Sequence, residues 1–561
     1  MDNNIKRRQF LKAGLISGAA IGYSGINILF GGPVFDLIIR RAKIVDGTGG
    51  IIFNGDIGLI GDRIEAVGDL TGKKAKTEID ASGMHLCPGF IDIHTHSDGD
   101  ILIYPEAESR VMQGVTTEIT GNCGYSAAPL TGFDEEQRRK SWLENENLKA
   151  TWTDVASYFE VLEKTGISLN HALLLGQGTL RSNLIGSVNR ELTPDEMVML
   201  LKSVEEGMDQ GAIGISTGLE YVPGSFTSMD EIIAMTRIVA RRGGLYASHI
   251  RDEETLLLEA INEAIEIGRQ TGVRVEISHL KAAGRNNWSK QKAALELIES
   301  ARQNGIEVLA DAYPYTAYST SLTSFILPWA REGGKDAIMQ RLSDPETRER
   351  IRKESEDIVK TTPGDYNLIV ISRVKSDKNQ SLVGKNIAEI ADIWNIEPVD
   401  VLLRLLQEEE GNVGFIGHGM SPENVEMVLS NPLVTIGSDG SSMAPRGKAA
   451  QTRPHPRSYG TFARVLGYYQ RERKLFDLQT AVKKMTSMPA DQCNLDDRGR
   501  IARGKKADIV IFNAEKVKDL ATFENPHQYP TGIEYVLVNG QVVVQRGKHT
   551  GKKPGQVLRS S

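Results

Sequence analysis

Cysteine is scarce in this chain: Cys87, Cys123 and Cys493 are the only three among 561 residues. A count that is both odd and small excludes a disulfide framework. Positive charge is also in short supply, with 66 Lys and Arg against 73 Asp and Glu and a formal net charge of -7. No basic patch interleaved with aromatics occurs, so a nucleic-acid partner is excluded as well. Long apolar runs are missing. The one candidate, residues 13–30, barely approaches the roughly 20 apolar residues a bilayer needs and is interrupted by Gly14, Gly18, Gly22 and Gly25, so no stable membrane span is expected. What is present is ordinary globular composition, 40% apolar and 25% charged, which rules out wholesale disorder. The length predicts two or three structural units and the charge balance a small-molecule substrate.

The N-terminus stands apart. Lys6, Arg7, Arg8, Gln9, Phe10, Leu11 and Lys12 precede the Gly- and Ala-rich run, the pattern of a twin-arginine export signal over residues 1–32. An exported, periplasmic protein is the expectation. No cysteine precedes Cys87, so lipid attachment at an N-terminal cysteine is not expected.

Short strands and turns fill residues 35–87, punctuated by Gly47, Gly49 and Gly61, and a matching stretch lies at 507–512 and 533–546 with Asn539-Gly540 as a two-residue hairpin turn. Neither end has enough strands for a core of its own. The expectation is a small β-sandwich built from both ends, residues 33–88 plus 500–550. Between them, residues 89–499 alternate apolar strand runs with helical segments, which predicts an α/β fold with a (β/α)8 TIM-like barrel. Nine strand candidates compete for eight places; 433–439 is assigned as the eighth and 413–418 as an accessory strand. An insertion late in the barrel, at about 330–400, exceeds ordinary connection lengths.

The sharpest local pattern is Pro88-Gly89-Phe90-Ile91-Asp92-Ile93-His94-Thr95-His96. Strand alternation puts His94 and His96 on one face, at the end of a barrel strand where such folds place their active sites. His249 and His279 end two further strands thirty residues apart, the length of one strand-helix unit. Asp439 ends the last strand, which closes beside the first, and Cys123 ends the second between Asn122 and Gly124. Four histidines, a carboxylate and a thiolate suit Zn²⁺ better than Mg²⁺ or Ca²⁺, with iron and manganese as alternatives.

With Gly121-Asn122-Cys123-Gly124, Ser216-Thr217-Gly218-Leu219, His249-Ile250-Arg251-Asp252-Glu253, Tyr313-Pro314-Tyr315 and Arg453-Pro454-His455-Pro456-Arg457, the chain resembles the D-aminoacylase (N-acyl-D-amino-acid deacylase) branch of the metal-dependent amidohydrolase superfamily. Lys484-Met485-Thr486 and Ala507-Asp508-Ile509-Val510 carry the resemblance to the end. Hydantoinase- and dihydroorotase-like relatives bridge two metals with a carboxylated lysine, whereas this branch uses a cysteine, and Cys123 takes that position. The resemblance implies that Cys123, His249 and His279 hold one tight zinc, while His94 and His96 complete a second, weaker site. It also implies Lys281, Tyr313, Ser319 and Arg457 as the group that grips the substrate carboxylate.

Metal chemistry of this kind polarises the scissile carbonyl and acidifies water, and Asp439 is placed to accept that water's proton and return it to the departing amine. The expected reaction is hydrolysis of N-acyl-D-amino acids. The alternatives are a dipeptidase acting on D-amino-acid-containing peptides and a cyclic-amide hydrolase of hydantoinase or dihydroorotase type, with a non-enzymatic barrel disfavoured because no ligand is missing. The substrate's side chain and the oligomeric state are not legible in the sequence.

Overall fold

In the computed structural model, which describes residues 34–560, eight parallel strands follow one another round a barrel in chain order. They are Phe90–Asp92, Val115–Thr120, Asn170–Gly176, Gly214–Gly218, Leu245–His249, Arg274–Ile277, Val308–Ala312 and Val434–Ile436. Nearly all their residues are buried, as expected for strands covered by barrel packing on one side and helices on the other. The ring is joined between its first and last strands: Asp439 N donates to His94 O at 2.8 Å, and His96 N to Gly440 O at 2.8 Å. Three of the predicted ligands thus sit on the closing seam.

The outer helices follow from local sequence. Pro194–Asp209 starts at a capping box in which Thr193 and Glu196 satisfy each other's backbone N–H groups, with proline in the first turn. Met229–Arg241 is capped by Ser228 and buries Ile232, Ile233, Met235, Ile238 and Val239 against the strands.

The chain ends form one nine-stranded sheet. Phe35–Ile44, Phe53–Ile60, Arg63–Gly68, Ala75–Asp80 and His85–Pro88 come from the N-terminal side, and Ile509–Phe512, Ile533–Val538, Gln541–Gln545 and Lys548–His549 from the C-terminal side. His85–Pro88 pairs antiparallel with Ile509–Phe512, which stitches the two ends together. The sheet curls until Ile64 N reaches Lys505 O at 2.9 Å, enclosing a core of Ile39, Ile44, Ile57, Ile509 and Ile511. The predicted hairpin is present, with Asn539 and Gly540 at φ 48° and 77° between Ile533–Val538 and Gln541–Gln545.

After the seventh barrel strand the chain leaves to build a unit of its own before returning at Val434–Ile436. Tyr318–Ser321, Gly414–Gly417 and Ile369–Arg373 form an antiparallel three-stranded sheet, so the ninth candidate strand pairs here and not in the barrel. Helices including Gly334–Ser343, Pro345–Thr361 and Pro398–Glu408 cover it, and Leu322, Phe325, Ile371, Leu402, Leu406 and Phe415 fill a separate core. Among the described residues no helix is long and apolar enough to cross a membrane. The signal segment expected at 1–32 lies outside the described residues.

Candidate metal centre

Three of the expected ligands have left-handed backbones: Cys123 at φ 52°, His279 at 35° and Asp439 at 50°. Such φ values cost a non-glycine residue on the order of 1–3 kcal/mol, and they cluster where side chains must be turned into a site. The neighbours explain how the Cys123 turn is accommodated. A Cβ at Gly121 would lie 1.9 Å from Leu174 O, and one at Gly124 2.6 Å from Gly218 N, so glycine on both sides lets the loop press flat against adjoining strand ends.

The six expected ligands converge. Cys123 Sγ lies 3.4 Å from His94 Nε2 and 3.5 Å from His279 Nε2. His249 Nδ1 lies 2.9 Å from His279 Nε2, and His96 Nε2 lies 3.0 Å from Asp439 Oδ1. Donor atoms within 4.8 Å of one another group as His94, Cys123 and His279; as His94, His96 and Asp439; and as His249, Glu253 and His279. Zinc bonds of about 2.3 Å to sulfur and 2.0 Å to nitrogen at a tetrahedral angle put the two donors about 3.5 Å apart, so the spacing round Cys123 fits a transition metal.

The electrostatics favour a thiolate at Cys123 and an ionised Asp439. Burial alone would raise the Cys123 thiol, but the His94 and His279 imidazoles hold it well below the ordinary thiol range, which favours the thiolate. Burial likewise opposes a charged Asp439, yet Arg457 and His96 keep it well below the usual carboxylate range. His96, which burial would depress, is raised to about 9 by Asp439 and Cys123. By contrast, Cys87 and Cys493 are buried thiols that desolvation pushes up.

Three carboxylates that the sequence reading did not single out stand behind the histidines. Asp311 Oδ2 is 3.1 Å from His94 Nδ1, Glu220 Oε2 is 3.1 Å from His249 Nε2, and Glu253 Oε1 is 2.9 Å from His279 Nδ1. Glu253 was in view only as the end of the His249-to-Glu253 motif. A signal did exist for Asp311: an acid on a fully buried strand is rare unless it is paired.

The residues expected to grip a carboxylate are close by but already engaged. Lys281 Nζ pairs with Glu253 at 2.5 Å, and Glu253 outweighs burial to raise the lysine above its ordinary range. Arg457 Nη1 lies 2.8 Å from Asp439 Oδ2, with its guanidinium 4.9 Å from the centre of the Tyr313 ring and Nη2 donating to Ser319 O at 3.2 Å. Ser319 Oγ donates to Phe415 O at 2.8 Å. A cavity of about 650 Å³ opens between the barrel mouth and the insertion, lined by His249, His279, Lys281 and Asp439 on one side and by Ser319, Phe325 and Arg331 on the other. Tyr313 and Arg457 pack behind Lys281 and Asp439 and are not on its wall.

The remaining histidines have structural partners. His171 Nδ1 lies 3.1 Å from Glu118 and its Nε2 3.0 Å from Thr120 Oγ1, on the strand face toward Tyr158 of the helix Val155–Thr165. His455 Nε2 donates to Ala317 O at 2.9 Å, and His418 packs on Phe523.

Comparison with known proteins places this geometry. The amidohydrolase family model matches residues 77–353 and 383–544. A D-aminoacylase of Alcaligenes xylosoxydans xylosoxydans is 36% identical over 93% of this chain and 97% of its own. The structure of an N-acyl-D-glutamate deacylase from Bordetella bronchiseptica, complexed with zinc and a phosphonate mimic of the tetrahedral intermediate, superposes with a TM-score of 0.80 at 32% identity over 94% of this chain and all of that one. A D-aminoacylase structure described by its binuclear metal centre gives 0.79 at 35% identity, over 94% of this chain and all of that one.

Proposed function

This chain belongs to the D-aminoacylase branch of the amidohydrolase family, and we propose that it is a zinc-dependent enzyme that hydrolyses the amide bond of N-acyl-D-amino acids to a D-amino acid and a carboxylate. The observation that carries the reading is Cys123 Sγ set 3.4 and 3.5 Å from the ring nitrogens of His94 and His279. By resemblance to the family, Cys123, His249 and His279 would hold the tighter zinc and His94, His96 and Asp439 the second site; the second trio is grouped as such in the structure, whereas the donors nearest Cys123 Sγ are His94 and His279. When bound, zinc supplies Lewis acidity at the scissile carbonyl and makes water a nucleophile at neutral pH.

The chain's own groups do the rest. Asp439, kept ionised by Arg457, accepts the proton of the attacking water and hands it to the leaving nitrogen, without which an amine departs poorly. Lys281 borders the cavity at the metal donors and is the cation placed to meet the carboxylate of an acyl amino acid, while Arg457 and Tyr313 stand behind it with Arg457 paired to Asp439. The insertion contributes Phe325 and Leu327 to the cavity lining. The twin-arginine pattern of the first 32 residues supports export to the periplasm.

A panel of N-acetyl-D-amino acids, N-acetyl-L-amino acids and D-terminal dipeptides, assayed for released amine with the zinc-loaded chain, tests this reading. Turnover confined to the N-acyl-D compounds is the expected result, and preference for L compounds or for dipeptides would replace it.

A further inference from the structure

We propose that His455, backed by Phe523 and His527 of the C-terminal segment 519–529, is a positioning residue that sets Arg457 against Asp439. Arg457 opens the helix Arg457–Arg464, and the first N–H groups of a helix have no partner within it. His455 Nδ1 accepts the Arg457 N–H at 3.0 Å, and its Nε2 donates to Ala317 O at 2.9 Å. An imidazole that accepts at one nitrogen and donates at the other is neutral and in a single tautomer. Burial and the Arg457 charge keep it so, holding the ring well below the ordinary imidazole range. The ring therefore ties the start of the helix to the segment that follows the seventh barrel strand. The same segment receives the far end of the arginine, since Arg457 Nη2 donates to Ser319 O at 3.2 Å. With backbone and guanidinium both anchored there, Nη1 is left 2.8 Å from Asp439 Oδ2.

The C-terminal segment closes over this arrangement. The buried His455 ring lies edge-on to Tyr315 at 5.1 Å and to Phe523 at 5.0 Å, so it cannot turn without displacing them. His527 brackets the loop from outside: its Nε2 donates to Thr452 O at 2.9 Å, and its Nδ1 accepts from the Tyr459 hydroxyl at 3.1 Å. Those two contacts fall on either side of residues 453–457. Farther along the helix Arg464 is held between the same two segments, with Nε donating to Pro314 O at 2.8 Å and Nη1 lying 3.1 Å from Asp519. Gly460 lets the helix sit that close, because a Cβ there would lie 2.6 Å from the Tyr315 hydroxyl and 3.1 Å from Asp519 Cβ. His455, Phe523 and His527 do not line the cavity, so their effect on the reaction passes through Arg457.

The inference rests on the pairing of Arg457 with Asp439 in the reading above, but its spectroscopic arm needs no turnover, so a chain without deacylase activity would sink that reading and still leave this one open to test. In zinc-loaded protein carrying ¹⁵N-arginine, the Arg457 Nε–H resonance, identified by its loss in Arg457→Met, should move in His527→Phe, which keeps a ring beside Tyr459 and removes both hydrogen bonds. An unmoved resonance would overturn the proposal. In the kinetic arm, at saturating zinc, His455→Phe and His527→Phe should each lower kcat/KM on an N-acetyl-D-amino acid by about tenfold or more, as expected when a group beside the chemistry is misplaced. In an Arg457→Met background the same substitutions should change it by less than about twofold, because the group they position is gone. Equal losses in both backgrounds would mark a general effect on the fold and refute the proposal, as would no loss in the presence of Arg457. His527→Phe, at a half-buried position, carries the test alone if His455→Phe does not fold.

Discussion

Asp439→Asn separates catalysis from metal binding and from folding, and each effect has a magnitude. Asparagine tolerates the left-handed backbone that residue 439 adopts at φ 50°, so the turn closing the barrel is kept. The lost charge leaves Arg457, only 5% exposed, without its carboxylate partner at 2.8 Å. Breaking a buried pair costs about 3–5 kcal/mol when nothing replaces it; here the amide oxygen and the Tyr313 ring remain, which reduces the cost to about 2 kcal/mol. Removing a group that moves the proton in both directions should lower kcat by 10²- to 10⁴-fold, about 3–5 kcal/mol on the barrier. Tight zinc should persist, because Cys123, His249 and His279 are untouched. The assay is kcat on an N-acetyl-D-amino acid alongside zinc per chain and a urea melt. A kcat within tenfold of wild type would remove Asp439 from the chemistry, and loss of the tight zinc would refute the division of ligands.

Other perturbations reach other parts of the account. Lys281→Met should raise KM for an N-acetyl-D-amino acid about tenfold or more, as titrations of rate against substrate at saturating zinc will show, the excess zinc being needed because Lys281 also holds Glu253 against His279. Phe415→Ala should cost about 3–5 kcal/mol inside the insertion, where Phe415 is fully buried against Phe325, and raise KM more than it changes metal content, since Phe325 lines the cavity and loses the ring it packs on. Lys484 adds a pH dependence: burial lowers it from 10.5 to about 7. Between those values the unfolded chain binds the extra proton, so stability should rise with pH from about 7 to 10.5 by at most about 1.4 kcal/mol per unit. Lys484→Met should flatten that rise in melts recorded across the range, and an unchanged slope would assign it elsewhere.

Much of this was readable from residue order alone, for reasons that differ by element. His94 and His96 were legible because strand alternation fixes their common face, and the Asn539-Gly540 hairpin because few residues accept two consecutive positive φ angles. The destination of residues 413–418 needed structure: a short apolar run reads the same whether it joins a parallel barrel or, as Gly414–Gly417 does, an antiparallel sheet in an insertion. An acid within the apolar strand 308–312 marked Asp311, but its partner was hidden because His94 lies 217 residues away. Composition shows no pairing either, so Lys281 and Arg457 were expected to grip a substrate carboxylate with no sign that Glu253 and Asp439 hold them.

The most direct measurement of the central claim is to incubate the zinc-loaded chain with racemic N-acetyl amino acid and resolve the released amino acid by chiral chromatography. The account predicts that only the D-amino acid appears, that consumption stops at half the racemate, and that chelation abolishes release until zinc is restored. Release of the L-amino acid, or turnover that survives metal removal, would contradict it.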